Sequence, residues 1–85
     1  GPHAGQSFPL SPGATIGRDP AAAIAIAADS KASRNHARFV PEAGGWAIED
    51  MNSTNGTFVN GQRITRVALA PGDTIVVGSS TLRYG

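Results

Sequence analysis

The 85-residue chain contains no cysteine. That excludes a disulfide framework, a thiolate zinc knuckle and a thiol nucleophile. Charge is also scarce: 15% of residues carry one, and they nearly cancel to a net +1. No basic stripe stands out, so no nucleic-acid partner is expected. Lysine is almost missing, with Lys31 alone beside six arginines. Such a bias suits planar, bidentate recognition of oxyanions, and a G+C-rich genome produces the same bias. No apolar run approaches about 18 residues, so no membrane insertion is expected from this segment. No secretory signal is present, and a cytoplasmic location is expected. Two histidines, with neither cysteine nor clustered acids, do not make a metal site, and no cofactor is expected.

What remains must fold on apolar burial. A domain of this size buries only about two-thirds of its unfolded surface, and without staples it needs a well-closed core. The 40% hydrophobic fraction is sufficient despite 11 Gly and 6 Pro. One domain is expected over residues 1–85.

Short extended runs separated by turn signals dominate the chain. Ser7 to Leu10 leads into Ser11-Pro12-Gly13, and Ala14 to Gly17 stops at Asp19-Pro20. Ala37 to Val40 is expected to end at Pro41. Trp46 and Ile48 alternate with Ala47 and Glu49, the pattern of a half-buried strand. Thr57 to Val59 and Gln62 to Ile64 flank Asn60-Gly61, a strong hairpin signal because both residues tolerate positive φ. Pro71-Gly72-Asp73 introduces Thr74 to Val77, Gly78-Ser79 turns, and Thr81 to Tyr84 closes. Many short strands with frequent turns read as an all-β sandwich. The Ala-rich stretch from Pro20 to Ala28 competes, since alanine favours helix. It is about two turns long, too short to hold by propensity, and Ile24 and Ile26 stand at strand spacing. Ala21 to Ala23 is therefore read as a turn and Ile24 to Ala27 as a strand. Trp46, Phe39 and Phe58 are read as core.

Four short motifs stand out, one of them Pro71-Gly72-Asp73 ahead of its hydrophobic run. Gly17-Arg18 lies just past a strand end; Ser33-Arg34-Asn35-His36 and Asn52-Ser53-Thr54-Asn55-Gly56-Thr57 lie in loops. Loops at one end of a rigid sandwich are common sites of binding. Arginine, hydroxyl and amide donors gathered there describe a cradle for phosphate or carboxylate. Ser33, His36 and Asp50 include the residue types of a hydrolase triad, but there is no G-x-S-x-G elbow. The residues point to binding, not catalysis.

Taken in order, Gly17-Arg18, Ser33-x-x-His36, Ser53-Thr54-Asn55-Gly56-Thr57 and Asn60-Gly61 resemble the forkhead-associated (FHA) domain of bacterial type. The match runs from about residue 8 to residue 84, nearly the whole chain. The resemblance implies an FHA-like sandwich of two twisted, mainly antiparallel sheets that binds phosphothreonine peptides through loops at one end. It implies a non-catalytic module that recruits a phosphothreonine-containing protein downstream of a Ser/Thr protein kinase. The alternative is a domain of the same fold that docks partners or dimerises without phosphate.

Roles follow from the resemblance position by position. Arg18 matches the arginine that pairs with phosphate or adjacent peptide. Ser33 matches the serine that donates to a phosphate oxygen. Thr54 matches the residue whose hydroxyl or amide reaches the phosphate, and Asn55 the asparagine that holds the peptide main chain extended. Arg34 stands where ligand contacts are frequent, and Asn35 at a variable position where some relatives carry lysine. Lys31 lies in the loop associated with specificity beyond the phosphothreonine, where it is expected to favour an acidic peptide residue. Gly17, His36 and Gly56 match structural positions, with His36 tying the recognition loops together. Relatives usually carry one more strand ahead of the turn at Gly1 to Gly5, so a trimmed first strand and an exposed sheet edge are expected.

Overall fold

A computed structural model describes residues 10–85. Ser7, Phe8 and Pro9, and the turn expected at Gly1 to Gly5, lie outside the described residues. Leu10 is described; it belongs to no strand and packs, half-buried, on the core.

Nine strands and no helix occur among the described residues: β1 (Thr15–Gly17), β2 (Ile24–Ala25), β3 (Ala37–Glu42), β4 (Gly45–Asp50), β5 (Thr57–Val59), β6 (Gln62–Ile64), β7 (Arg66–Ala68), β8 (Thr74–Val77) and β9 (Ser80–Arg83). They form a five-stranded sheet, β2-β1-β3-β4-β7, and a four-stranded sheet, β6-β5-β8-β9. All pairings are antiparallel except β1 with β2, which run parallel with Ile16 beside Ile24. The chain crosses from one sheet to the other between Ile64 and Arg66, at Thr65, whose carbonyl accepts from Asp50 N.

Alternation puts one residue in two between the sheets. Ile16, Ile24, Ile26, Phe39, Ile48, Ile75 and Val77 fill that space, each at most 3% exposed. Each such side chain contributes about 1.5–3 kcal/mol by leaving water. The Ala-rich segment folds as its isoleucines dictate. Ala22 N bonds Asp19 O in a turn, and Ile24 and Ile26 then enter the core on one face. The strand is shorter than expected because Asp29 N turns back to Ile26 O, which places Ala27 and Ala28 in a turn.

Three other expectations change. β3 continues through Pro41, which pairs with Trp46. Phe39 N points to the β1 side, bonding Ala14 O. The missing N–H of Pro41, two residues on, faces that same side beyond the contact between Gly13 N and Phe39 O. It therefore costs β4 no hydrogen bond. Phe58 is not core: its neighbours Thr57 and Val59 point inward, and Phe58 lies half-buried on the outer face beside Val76. Trp46 packs on the core but stays half-buried. The turn at Asn60-Gly61 has the expected form, with φ of 52° and 82°, the two positive values of a type I′ hairpin. Among the described residues, no helix is long and apolar enough to cross a membrane.

Candidate functional site

The topology brings one set of strand ends together. β1 and β4 end where β3 begins, and β8 ends where β5 and β9 begin. The loop over residues 18–36, the loop over 51–56 and the turn at 78–79 therefore share one end of the sandwich. All the candidate residues lie in or beside these segments.

His36 joins them. It is fully buried. Its Nδ1 accepts from Ser33 N at 3.0 Å, and its Nε2 stands 2.7 Å from Gly56 O. An acceptor at Nδ1 puts the ring proton on Nε2, which donates to that carbonyl. Its backbone is equally engaged, with N bonded to Ile16 O and O accepting from Met51 N. One side chain thus fixes the spacing between the Ser33 loop and the Gly56 loop. Gly17 sits beneath the first of these. Arg18 N bonds Ser33 O and Asp19 N bonds Arg34 O, which draws that backbone over Gly17, and a Cβ there would overlap the Arg34 carbonyl. Gly56 has φ +85° and carries the Arg63 side chain against its Cα. A residue with a Cβ fits at neither position.

The proposed ligand-facing residues are held from behind and open in front. Arg18 is exposed; its Nε donates to Ala32 O at 2.5 Å, a bond that does not use the terminal guanidinium nitrogens. Ser33 Oγ accepts from Thr54 N at 3.1 Å, so its own proton is left to donate. That bond engages the Thr54 amide, and the exposed Thr54 hydroxyl is the group left to reach a ligand. Asn55 Nδ2 donates to Lys31 O at 2.7 Å, which orients the carboxamide with Oδ1 and a second N–H remaining. Arg34 is widely exposed, with Asp19 at 4.0 Å. Asn35 and Lys31 are exposed on the same loop. These positions are joined by direct bonds: Arg18 to Ala32 and Ser33, Ser33 to Thr54, Asn55 to Lys31.

Two aspartates missed as site elements anchor the loops. Asp29 is buried at 6% exposure. Its Oδ2 accepts from Ser80 Oγ at 2.7 Å and Ser79 N at 2.8 Å, and its Oδ1 accepts from Lys31 N at 3.0 Å. Burial pushes its pKa up, but these hydrogen bonds outweigh burial and leave it below the ordinary value. Asp50 does the same for the second loop. Its Oδ1 accepts from Ser53 Oγ at 2.5 Å and Thr57 Oγ1 at 2.8 Å, and its Oδ2 from Ser53 N at 3.1 Å. Ser53 Oγ in turn accepts from Gly56 N. Burial again raises the pKa, and the hydrogen bonds from Ser53 and Thr57 bring it below the ordinary value. Asp followed closely by Ser is a turn signal, so each loop's own half was legible. The tie from Asp29 to Ser80, 51 residues on, was not.

These anchors also separate Ser33, His36 and Asp50 from a catalytic relay. His36 Nδ1 takes the Ser33 amide, not its hydroxyl, and the Asp50 oxygens are bonded to Ser53 and Thr57. Both anchoring carboxylates are turned into the fold, while Arg18, Lys31 and Arg34 face out with hydroxyl and amide donors. Donors of both kinds, cationic and neutral, are therefore exposed together at this end.

A two-sheet antiparallel sandwich with such a loop cluster at one end defines a class of binding domain. A family model described as FHA domain matches residues 14–78. The ABC transporter ATP-binding/permease protein Rv1747 of Mycobacterium tuberculosis is 42% identical over 84 residues, covering 88% of this chain and 10% of its own length. The glycogen accumulation regulator GarA of Mycolicibacterium smegmatis is 39% identical over 85 residues, covering 99% of this chain and 53% of its own. A solved FHA domain characterised for phosphothreonine-dependent interactions superimposes with a TM-score of 0.85 at 33% identity, over 94% of this chain and 83% of that one. The chain belongs to the FHA family. It spans about half the length, or less, of these two curated relatives.

Proposed function

We propose that residues 1–85 act as one non-catalytic module that binds a phosphothreonine-containing protein and recruits it in Ser/Thr kinase signalling in the cytoplasm. The observation that carries this reading is the gathering of Arg18, Ser33, Arg34, Thr54 and Asn55 at one end, with Arg18, Ser33, Thr54 and Asn55 tied by hydrogen bonds and Arg34 widely exposed beside them. A phosphothreonine brings about −1.5 to −2 charges and three strong acceptors. Arg18 and Arg34 supply charge-assisted bonds, each worth roughly 1.5–3 kcal/mol. The Ser33 and Thr54 hydroxyls donate without bulk, and Asn55 holds the peptide backbone extended. Asn35 lies close enough along the chain to add a neutral donor, and Lys31 meets an acidic peptide residue. Gly17, His36 and Gly56 hold the loops and do not touch ligand.

A phosphothreonine peptide library titrated beside unphosphorylated and phosphoserine controls tests the reading. Binding is expected only for phosphorylated peptides, with threonine favoured by about 1–3 kcal/mol for its methyl group. Arg18→Ala and Ser33→Ala should each weaken binding about tenfold or more while the fold persists. Equal binding of the unphosphorylated peptides would defeat the proposal and favour phosphate-independent docking.

A further inference from the structure

Arg63 is a cation the roles above leave unused. It stands on β6 opposite Phe58 and is exposed. The ion pairs among the described residues join Arg34 to Asp19, Arg38 to Glu49 and Arg66 to Glu42; none of them takes Arg63. Its side chain instead runs along the outer face of the four-stranded sheet towards the recognition end. A Cβ built on Gly56 would stand 2.6 Å from Arg63 Nε and 3.0 Å from its Cζ. The guanidinium therefore fills the space that a side chain at residue 56 would take, one residue from Asn55.

Sheet order places this cation relative to the others. In β6-β5-β8-β9, the loop over 51–56 leads into β5. Lys31 lies on the β8–β9 side, because Asp29 bonds Lys31 N with one oxygen and Ser79 and Ser80 with the other. Arg63 lies on the β6 side. Asn55 stands between them, its carboxamide bonded to Lys31 O and its chain neighbour Gly56 covered by Arg63.

Resting on the reading of this end as a phosphothreonine-peptide site, we propose that Arg63 is a specificity-determining residue that binds an acidic side chain on the flank of the phosphothreonine opposite to Lys31. The chemistry favours it. The Arg63 guanidinium lies with its Nε and Cζ over Gly56, on the same sheet face as the half-buried Phe58, so the planar head has a packed position at the rim of the recognition end. A peptide held extended at Asn55 advances about 3.3 Å per residue. If it runs from the Lys31 side across Asn55 to the β6 side, it passes over the Arg63 guanidinium, which none of the ion pairs among the described residues engages.

The test uses phosphothreonine peptides in which a single Glu is moved through the positions on either side of the phosphothreonine. Binding is compared for wild type, Arg63→Gln, Arg63→Glu and Lys31→Gln, with thermal unfolding as the check on folding. Wild type should gain about fivefold from Glu on each flank, the weight of one ordered surface ion pair. Arg63→Gln should remove the gain on one flank only, Arg63→Glu should reverse it into a preference for Lys, and Lys31→Gln should act on the other flank. Arg63→Gln that leaves every gain intact, or weakens all peptides equally, overturns the inference while the phosphothreonine reading stands. If no peptide binds wild type in a phosphate-dependent way, both fall together.

Discussion

A methyl group at residue 17 would overlap the Arg34 carbonyl and crowd that of Ser33, and these belong to backbone rather than to a side chain that can swing away. Gly17→Ala is therefore expected to destabilise the fold by about 2–4 kcal/mol and to displace the Ser33 loop, read by urea unfolding and by loss of peptide binding. His36 carries a comparable load by different means. His36→Ala leaves Gly56 O without its donor and Ser33 N without its acceptor in a fully buried space. A loss of about 3 kcal/mol is expected in the same measurement. Ser33 and Thr54 behave otherwise, because their partners lie at the exposed rim. Their truncation should cost binding more than stability. At this scale Gly17, Ser33, His36, Asn55 and Gly56 were legible as a set through their resemblance to the FHA pattern, and the structure brings them to one end of the sandwich. The division of the Thr54 amide and hydroxyl was not legible, since it depends on where Ser33 Oγ arrives from 21 residues away.

Loop segments depend on their anchors more than on their own sequence. The segment from Ser30 to Ser33 has no regular backbone pairing of its own and hangs on Asp29, which is tied to the β8–β9 turn. Asp29→Ala strips acceptors from Ser80 Oγ, Ser79 N and Lys31 N. It should cost about 1–3 kcal/mol, and hydrogen exchange should quicken at the Lys31 and Ser79 amides while the amides of β3 and β4 keep their protection. Equal loss of protection throughout would mean that Asp29 supports the whole sandwich and not one loop. Other elements show where periodicity is a weak guide. β7 was not expected: Arg66, Val67 and Ala68 give one half-buried residue in three, and the strand exists because β4 offers Ala47, Ile48 and Glu49 as partners. Pro41 reads locally as a stop, yet its missing donor faces away from β4 and the strand continues.

The molecule as a whole has a predictable response to acid. Asp29, Asp50 and Asp73 all have pKa values below the ordinary 3.8, the last because Ala70 N and the Asn60 side chain donate to it. A carboxyl that is more acidic folded than unfolded binds fewer protons when folded. Its contribution is then complete above pH 3.8 and is lost as pH falls through the lower folded values. The urea midpoint should stay flat for these groups from neutrality to about pH 5, then fall below about pH 4. Peptide affinity should decline earlier, near pH 6, where the phosphate loses its second charge. Coincident loss of binding and fold on acidification would contradict that separation. By itself the sequence determined the all-β class and the Asn60-Gly61 hairpin, because alternation and turn preference act within a few residues. Only the tertiary structure decided the parallel pairing of β1 with β2, the crossing of β7 into the other sheet, and the anchoring of Asp29 to Ser80. Those contacts join positions whose neighbours in sequence carry no trace of one another, and they form because the two sheets close on one core.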